Sequence, residues 1–350
     1  MISNEKTHDV ARDSEFEEPP VSEIYRELFH YTDWKGFEGI WRSGILRATD
    51  YRYLNDFKEV VFIREHLIES VSKDLVARLR EKMKGNADLR KRIRKAGKLP
   101  ILAKTEATNV VNTAYRVTYQ GSDNNPPFVR AFIASFCSHL RNEEPYEHRN
   151  GLLSQWRAYG KSERYAIVFD TKKLEKLLSE ESSHYIYNPS HLSDVDYDLG
   201  GKESIRWISN LTNHMSEFVM SYTFDDKKIN LAPLLTSFLK ATTRLKHQGF
   251  REEKEKRIVG NPYTKELDAY IRKSAEPSYE APSKPFKDIV KDRETGREYI
   301  ELFAFNGGRR LPIRRVIVGP SMNQSEYARK AKALVKGEVR VHLSETPFSG

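Results

Sequence analysis

The sequence predicts an α+β fold: mixed, mostly antiparallel split sheets around a cleft, with a helical insertion. Three observations carry this. Short runs rich in aromatic and β-branched residues recur along the chain, as in VRAFIASFC from Val129 to Cys137 and RYAIVFD from Arg164 to Asp170, and such runs form strands. Long helical stretches interrupt them without the regular strand–helix–strand repeat of a doubly wound fold. With 350 residues, 38% of them hydrophobic and 11% aromatic, the chain has enough apolar material for a sizeable core.

Residues 1–22 read as a disordered tail closed by Pro19 and Pro20, and residues 23–350 as a single domain. ELFHYT, from Glu27 to Thr32, predicts a strand. Asp33 then stands as the N-cap of a short helix with Trp34, Phe37, Ile40 and Trp41 on one face, and Gly44 is placed to end it. Ile45 and Leu46 open an extended piece running towards Tyr51 and Tyr53. From Phe57 to about Thr118 the spacing of Val60, Ile63, Leu67 and Val71 predicts helix, punctuated by Gly85, Gly97 and Pro100; this is the insertion, at about 57–120. GSDNNPP from Gly121 reads as a loop. Strands follow over 129–137 and 164–170, the second leading into a helix from Thr171 to Glu180, with shorter strands at Tyr185–Tyr187 and Val195–Tyr197. Residues 201–248 read as mostly helical. A strand from Glu252 to Val259 begins with a burst of charge. Two more are expected at Tyr299–Phe305 and Arg314–Val318, before a closing helix from Gln324 to Val335 and a strand from Val339 to Leu343.

Composition excludes several classes. The single cysteine, Cys137, rules out an intramolecular disulfide and any multi-cysteine zinc ribbon. The polar, acidic first twenty residues hold no apolar signal core, and no run approaches the ~18–20 apolar residues that span a bilayer. The expectation is a soluble, cytoplasmic protein with no membrane partner. There is no Walker A, GxGxxG, GxSxG or HExxH motif. His184 and His191, with Asp194, Asp196 and Asp198, compose an oxygen-rich stretch, but DVDYD lacks the Gly and terminal Glu of a calcium loop. It reads as solvated, and no metal is assigned.

The net charge of +9 is unevenly placed. Between Arg78 and Lys98 ten Lys and Arg face only Glu81 and Asp88, a net of +8, and Arg90, Lys91, Arg92, Arg94 and Lys95 are the densest part. Such a stripe can neutralise phosphates and steer a nucleic-acid or protein acceptor; it is equally the pattern of a solvated helical hairpin, and no aromatic residue interrupts it for base stacking.

Four clusters carry candidate chemistry. His30 and Thr32 point to one side of the first strand and Tyr31 to the other; a histidine beside a hydroxyl can hold a ribose diol, or the histidine can be satisfied by a backbone carbonyl. On a strand, Glu253, Glu255 and Arg257 share a face, suited to stabilising an oxocarbenium-like centre and taking a proton from an attacking group. The rival explanation is an edge strand defended by charge. Trp156 and Tyr159 can stack a planar ring or pack in the core. Leu54, Asn55 and Asp56 form a polar turn before the helix that starts at Phe57.

Taken in order, LFHYT, ILRA, YLND, FIASFCS, SQWRAYG, FREEKEKRIV and IRRVIVGP resemble a broad bacterial family of domains of unknown function, over roughly residues 25–340. Its members read HYT, IL, LND, SFS, WxxYG, EKEWR and IxxGP. Phe57 here replaces the family's Pro, and Lys256 its Trp. More distantly, His30-Tyr31-Thr32 followed by a helix and Gly44-Ile45-Leu46 resembles the H-x-[ST] opening of the ADP-ribosyltransferase superfamily. Glu253-Lys254-Glu255 is similar to its E-x-E, and Ser135 falls where its second motif lies. The resemblance implies NAD as substrate. Glu255 would stabilise the departing ribosyl cation and Glu253 orient or deprotonate the acceptor. His30 and Thr32 would hold the ribose and amide, Tyr31, Ser135 and Arg257 would join the NAD-binding set, and Tyr51, Tyr53, Trp156 or Tyr159 would stack on nicotinamide. The company such domains keep implies a bacterial toxin or anti-phage effector. Two other readings stand beside it: a non-catalytic nucleic-acid-binding protein, and a metal-dependent nuclease using Asp56, Glu253 and Glu255.

Overall fold

A computed structural model describes residues 19–53, 57–120, 129–159, 163–225, 227, 231–274 and 282–347. Most of the expected tail, the Leu54–Asp56 turn, the loop after Gly121, and Gly160 lie outside these residues. The described chain runs α1 (Val21–Ile24), β1 (Glu27–Thr32), α2 (Trp34–Ser43), β2 (Leu46–Asp50), α3 (Phe57–Lys84), α4 (Ala87–Ala96), α5 (Leu99–Tyr115), β3 (Phe132–Cys137), α6 (Pro145–Asn150), α7 (Leu153–Ala158), β4 (Tyr165–Asp170) and α8 (Thr171–His184). It continues through β5 (Tyr187–Asp194), α9 (Lys202–Val219), α10 (Ala232–Arg244), β6 (Glu255–Pro262), α11 (Lys265–Ser274), β7 (Ile289–Lys291), β8 (Glu298–Leu302), β9 (Ile313–Val318), α12 (Gln324–Val335) and β10 (Arg340–Leu343).

The fold is α+β, and its mixed sheet is mostly antiparallel and open. Its main path orders the strands β10-β9-β4-β1-β3-β2-β8-β7, with β6 added on β3 and β5 on β6. Among the described strands only the β9–β10 pair is parallel, as the α12 crossover between them requires. The sheet forks at β3. One of its edges is paired along its length by β6, whereas the other is shared. β1 meets it at the single pair Phe29–Cys137, and β2 at Thr49–Ile133 and Asp50–Phe132.

Both faces of the sheet are covered, which explains why the strands read as continuous apolar runs instead of alternating with polar residues. On β3, Phe132, Ala134 and Phe136 point into a core shared with Phe37 and Trp41 of α2, Leu174 of α8 and Ala331 of α12. Ile133 points the other way, into a core with Leu67 of α3, Val111 of α5, Leu211 of α9 and Phe238 of α10. The insertion is therefore half of a helical layer completed by α9 and α10. Next to it on the same face, Phe29, Tyr31, Cys137, Ala166, Val168 and Ile317 pack with Trp156 of α7.

Local signals place α2 as expected. Asp33 Oδ1 accepts from the Gly36 N–H at 2.8 Å, and Gly44 ends the helix at φ +66°. Elsewhere the structure corrects the reading. One turn of helix at Val21–Ile24 overlaps the end of the expected tail. Residues 185–197 hold one strand, β5, in place of two short ones, and the Val195–Tyr197 stretch makes only an isolated bridge from Asp196 to Leu245. The strand expected to run to Phe305 stops at Leu302, because Phe303 turns into the left-handed region at φ +69°.

The strand expected from Glu252 begins at Glu255. Gln248–Glu253 forms a 3₁₀ turn and Lys254 sits at φ +47°, so the burst of charge belongs to a turn. β6 is also no charged edge: it lies between β3 and β5, and all eight of its residues are buried.

Candidate active site

β6 carries Glu255 and Arg257 two residues apart, so both side chains leave the same face, that of Val259 and the helical layer. Across the ladder Cys137 faces Glu255 and Ser135 faces Arg257. The Arg257 guanidinium donates from Nε and Nη2 to the two oxygens of Glu255, each at 2.9 Å, and from Nη1 to the Thr243 carbonyl at 3.0 Å. Lys246, just past α10, donates from Nζ to Glu255 Oε2 at 3.0 Å and to Glu253 Oε2 at 2.7 Å. The Glu255 N–H donates to the Tyr197 hydroxyl at 2.8 Å.

Glu255, Arg257 and Lys246 are all buried. Burial alone would raise the Glu255 pKa. The charges of Arg257 and Lys246, with hydrogen bonds from Arg257 and the Ser135 hydroxyl, outweigh it and hold the value at about 2. The group is a carboxylate at neutral pH. Glu253 joins it through Lys246 and not, as expected, by sharing a strand face. Towards solvent stands Tyr159, 46% exposed. Burial of its hydroxyl and the nearby Glu255, Cys137 and Glu253 raise its pKa to about 12. The cluster is thus enclosed by the sheet and helices and approaches the surface at Tyr159 and Glu253.

His30 Nδ1 lies 2.9 Å from the Ser135 carbonyl oxygen. A carbonyl can only accept, so Nδ1 carries the proton; burial lowers the pKa of the ring, which is neutral with a lone pair on Nε2. Alternation along β1 puts His30 and Thr32 on the side of Leu28, and the His30 ring lies 5.6 Å from that of Phe136. His30 and Glu255 therefore occupy opposite faces of the sheet at the fork, with β3 between them; the Ser135 carbonyl accepts from His30 on one side, and Ser135 faces Arg257 across the ladder on the other.

The other expected ligand-holding residues are placed differently. Trp156 is wholly buried, donates from Nε1 to the Asn150 carbonyl at 3.0 Å, and meets Tyr31 edge-on at 4.8 Å. It is core, not a stacking platform. The Tyr31 hydroxyl accepts from the Leu152 N–H at 2.8 Å. Tyr51 is buried beside Tyr119 and donates to the Thr242 carbonyl at 3.3 Å, so it backs the segment that receives Arg257. Thr32 Oγ1 fills the space beside Gly36, and the Tyr53 ring packs with Arg52 at 5.7 Å; neither contact reaches Glu255. Sequence reasoning missed Lys246 and Tyr197, which no spacing relates to β6. Backbone bonds between Asp196 and the 244–246 segment bring them there.

Two cavities lie elsewhere: one of about 440 Å³ along α5, the other of about 390 Å³ between α3 and α9. Among the described residues no group of three or more His, Cys, Asp or Glu is arranged to hold a metal ion. The acidic stretch read as solvated does structural work instead. Asp196 accepts from the Asp198 N–H and the Ser204 hydroxyl, fixing the entry to α9, and Asp194 lies 3.7 Å from Lys256. Of the basic stripe, Arg90 donates from Nη1 to the Met83 and Lys84 carbonyls, closing α3, while Lys91, Arg92, Arg94 and Lys95 are exposed. No described helix is long and apolar enough to cross a membrane.

Comparison with curated proteins and with solved structures finds no match. A family model described as a protein of unknown function, DUF2971, matches residues 155–258. That stretch runs from α7 to the middle of β6 and leaves β1 and β3 outside. A DUF2971 domain of unknown function is thus found at residues 155–258, and it holds Glu253, Glu255, Arg257, Lys246, Tyr197 and Tyr159.

Proposed function

We propose that the chain is an NAD-consuming enzyme of the ADP-ribosyltransferase kind, with Glu255 at its centre. The observation that carries this is the cluster itself: a buried, ionised Glu255 held by Arg257 and Lys246, with Glu253 joined to it through Lys246 on the solvent side. Glu255, ionised at neutral pH, accepts from a ribose hydroxyl and stabilises positive charge developing at the anomeric carbon as its bond to nicotinamide breaks. Nicotinamide leaves with the bonding electrons, and water or an acceptor nucleophile bonds to that carbon and gives up its proton. Glu253, on the solvent side, takes this proton. His30, on the other face of the sheet, does not touch the substrate; its bond to the Ser135 carbonyl braces β3 behind the cluster. Tyr159 offers a ring at the mouth of the cluster.

Lys246 and Arg257 now occupy both oxygens of Glu255. Arg257 is further held to Thr243, whereas Lys246 is held to a side chain on the 3₁₀ turn. Substrate entry therefore displaces Lys246 and the turn, and leaves Arg257 in place. The test is release of nicotinamide from NAD by purified protein, with water, nucleic acid or protein as acceptor. Wild-type release that falls at least 100-fold in Glu255→Gln supports the reading. No release with any acceptor, or equal release by the variant, removes it.

A further inference from the structure

The insertion presents an unbalanced row of positive charge. On α3 most of the cations are matched by acids: Arg64 with Glu65 at 2.7 Å, Lys73 with Glu69 at 2.7 Å, Arg78 with Asp74 at 2.5 Å, Lys84 with Glu81 at 2.6 Å, and Lys82 with Asp225, leaving Arg80 exposed and without an ion pair among the described residues. On α4 they are not. Lys91, Arg92, Arg94 and Lys95 are exposed, and none forms an ion pair among the described residues. The helix has only one inward face, where Leu89 and Ile93 pack on Leu79 of α3; at 100° per residue, Lys91, Arg94 and Lys95 stand on the opposite side with Arg92 flanking.

We propose that this face of α4 is a docking surface for duplex nucleic acid, gripped through its phosphates. Three arguments select that partner. First, charge density: residues 90–95 span about 9 Å of helix, a length over which a duplex presents roughly five negative charges. A fully acidic extended peptide offers about three over the same length. Second, a helix that lies in a lipid surface needs an unburied apolar face, and α4 has buried its own against α3. Third, α4 carries no aromatic side chain, so it has nothing on which the bases of a single strand would stack. Binding of this kind tracks the backbone and does not read sequence.

The experiment measures binding of a 20-base-pair DNA duplex of arbitrary sequence to the full chain between 50 and 200 mM salt. It needs no NAD, so its outcome is separate from that of the catalytic reading. The variant K91Q/R92Q/R94Q/K95Q changes only exposed side chains and keeps good helix formers. A control, K172Q/K173Q/R329Q/K332Q, removes the same charge from exposed positions on α8 and α12. The expected result is a plot of log affinity against log salt that becomes shallower by about 3 to 4 in the α4 variant and changes by less than about 1 in the control. Three results overturn the proposal: no duplex binding at 50 mM salt, an equal change in both variants, or binding to phosphatidylserine vesicles without binding to the duplex.

Discussion

His139 is buried with neither ring nitrogen hydrogen-bonded, Nδ1 lying 3.9 Å from Glu144 Oε2 and the ring edge-on to Phe29 at 4.8 Å. Burial first, and then the charges of Lys254, His148, Lys256 and Arg315, push its pKa down to about 3. In the unfolded chain the value returns to about 6.5. Between those limits the unfolded state binds the extra proton, so His139 adds stability as pH rises, up to about 1.4 kcal/mol per pH unit, and the contribution is complete above pH 6.5 or so. His139→Gln should lose that slope: denaturant unfolding at pH 4, 5, 6 and 7 should show a flatter profile than wild type, and parallel profiles would refute the assignment. Glu27 acts in the same direction at lower pH. Burial opposes its ionisation, but the hydrogen bonds and charges of His148 and Arg315 hold its pKa at about 2. Its contribution is intact above about pH 4.5 and is lost as pH falls towards 2.

At the level of elements, α2 gives a paired test on one helix. Gly44 has φ +66°, and a Cβ there would stand 2.2 Å from the Arg309 carbonyl oxygen. Gly44→Ala should cost about 1–3 kcal/mol. A Cβ on Gly39, inside the same helix, would meet nothing within 4 Å, so Gly39→Ala should stabilise by roughly 0.5–1 kcal/mol. Thermal or urea unfolding of both variants checks the sign of each. The contrast also shows what made this helix legible. Its cap, apolar face and terminating glycine all act within a few residues, so local sequence contains the whole cause. The start of β6 was illegible for the opposite reason. Reading Glu253, Glu255 and Arg257 as one face assumes an extended chain, and the left-handed backbone at Lys254 breaks that alternation.

Across the molecule, one arm of the fork, β2 and β8, is tied to the start of β3 by buried charge. Arg130, ahead of β3, donates to Asp50 of β2 at 2.5 and 3.1 Å and to Glu298 of β8 at 2.7 Å, and Arg52 donates to the same two carboxylates. Asp50 and Arg130 are both buried. Arg130→Met should destabilise on the order of 3 kcal/mol, since it leaves buried carboxylate charge short of a partner. Because the bonds hold three segments of one arm together, the urea midpoint should drop while the slope of the transition stays unchanged. A lower slope instead would mean that this arm unfolds separately from the rest.

Sequence alone determined the α+β class, most helices and strands, the unbalanced charge near residue 90, and the pairing of Glu255 with Arg257. Each of these follows from spacing within a single segment, or from composition. Tertiary structure decided the rest. It took Trp156, Tyr31 and Tyr51 into the core, delivered Lys246 and Tyr197 to Glu255, and set His30 on the other side of the sheet. The physical reason is that local sequence sets backbone conformation and periodicity, whereas which distant side chains meet depends on how two helical layers close over both faces of one forked sheet.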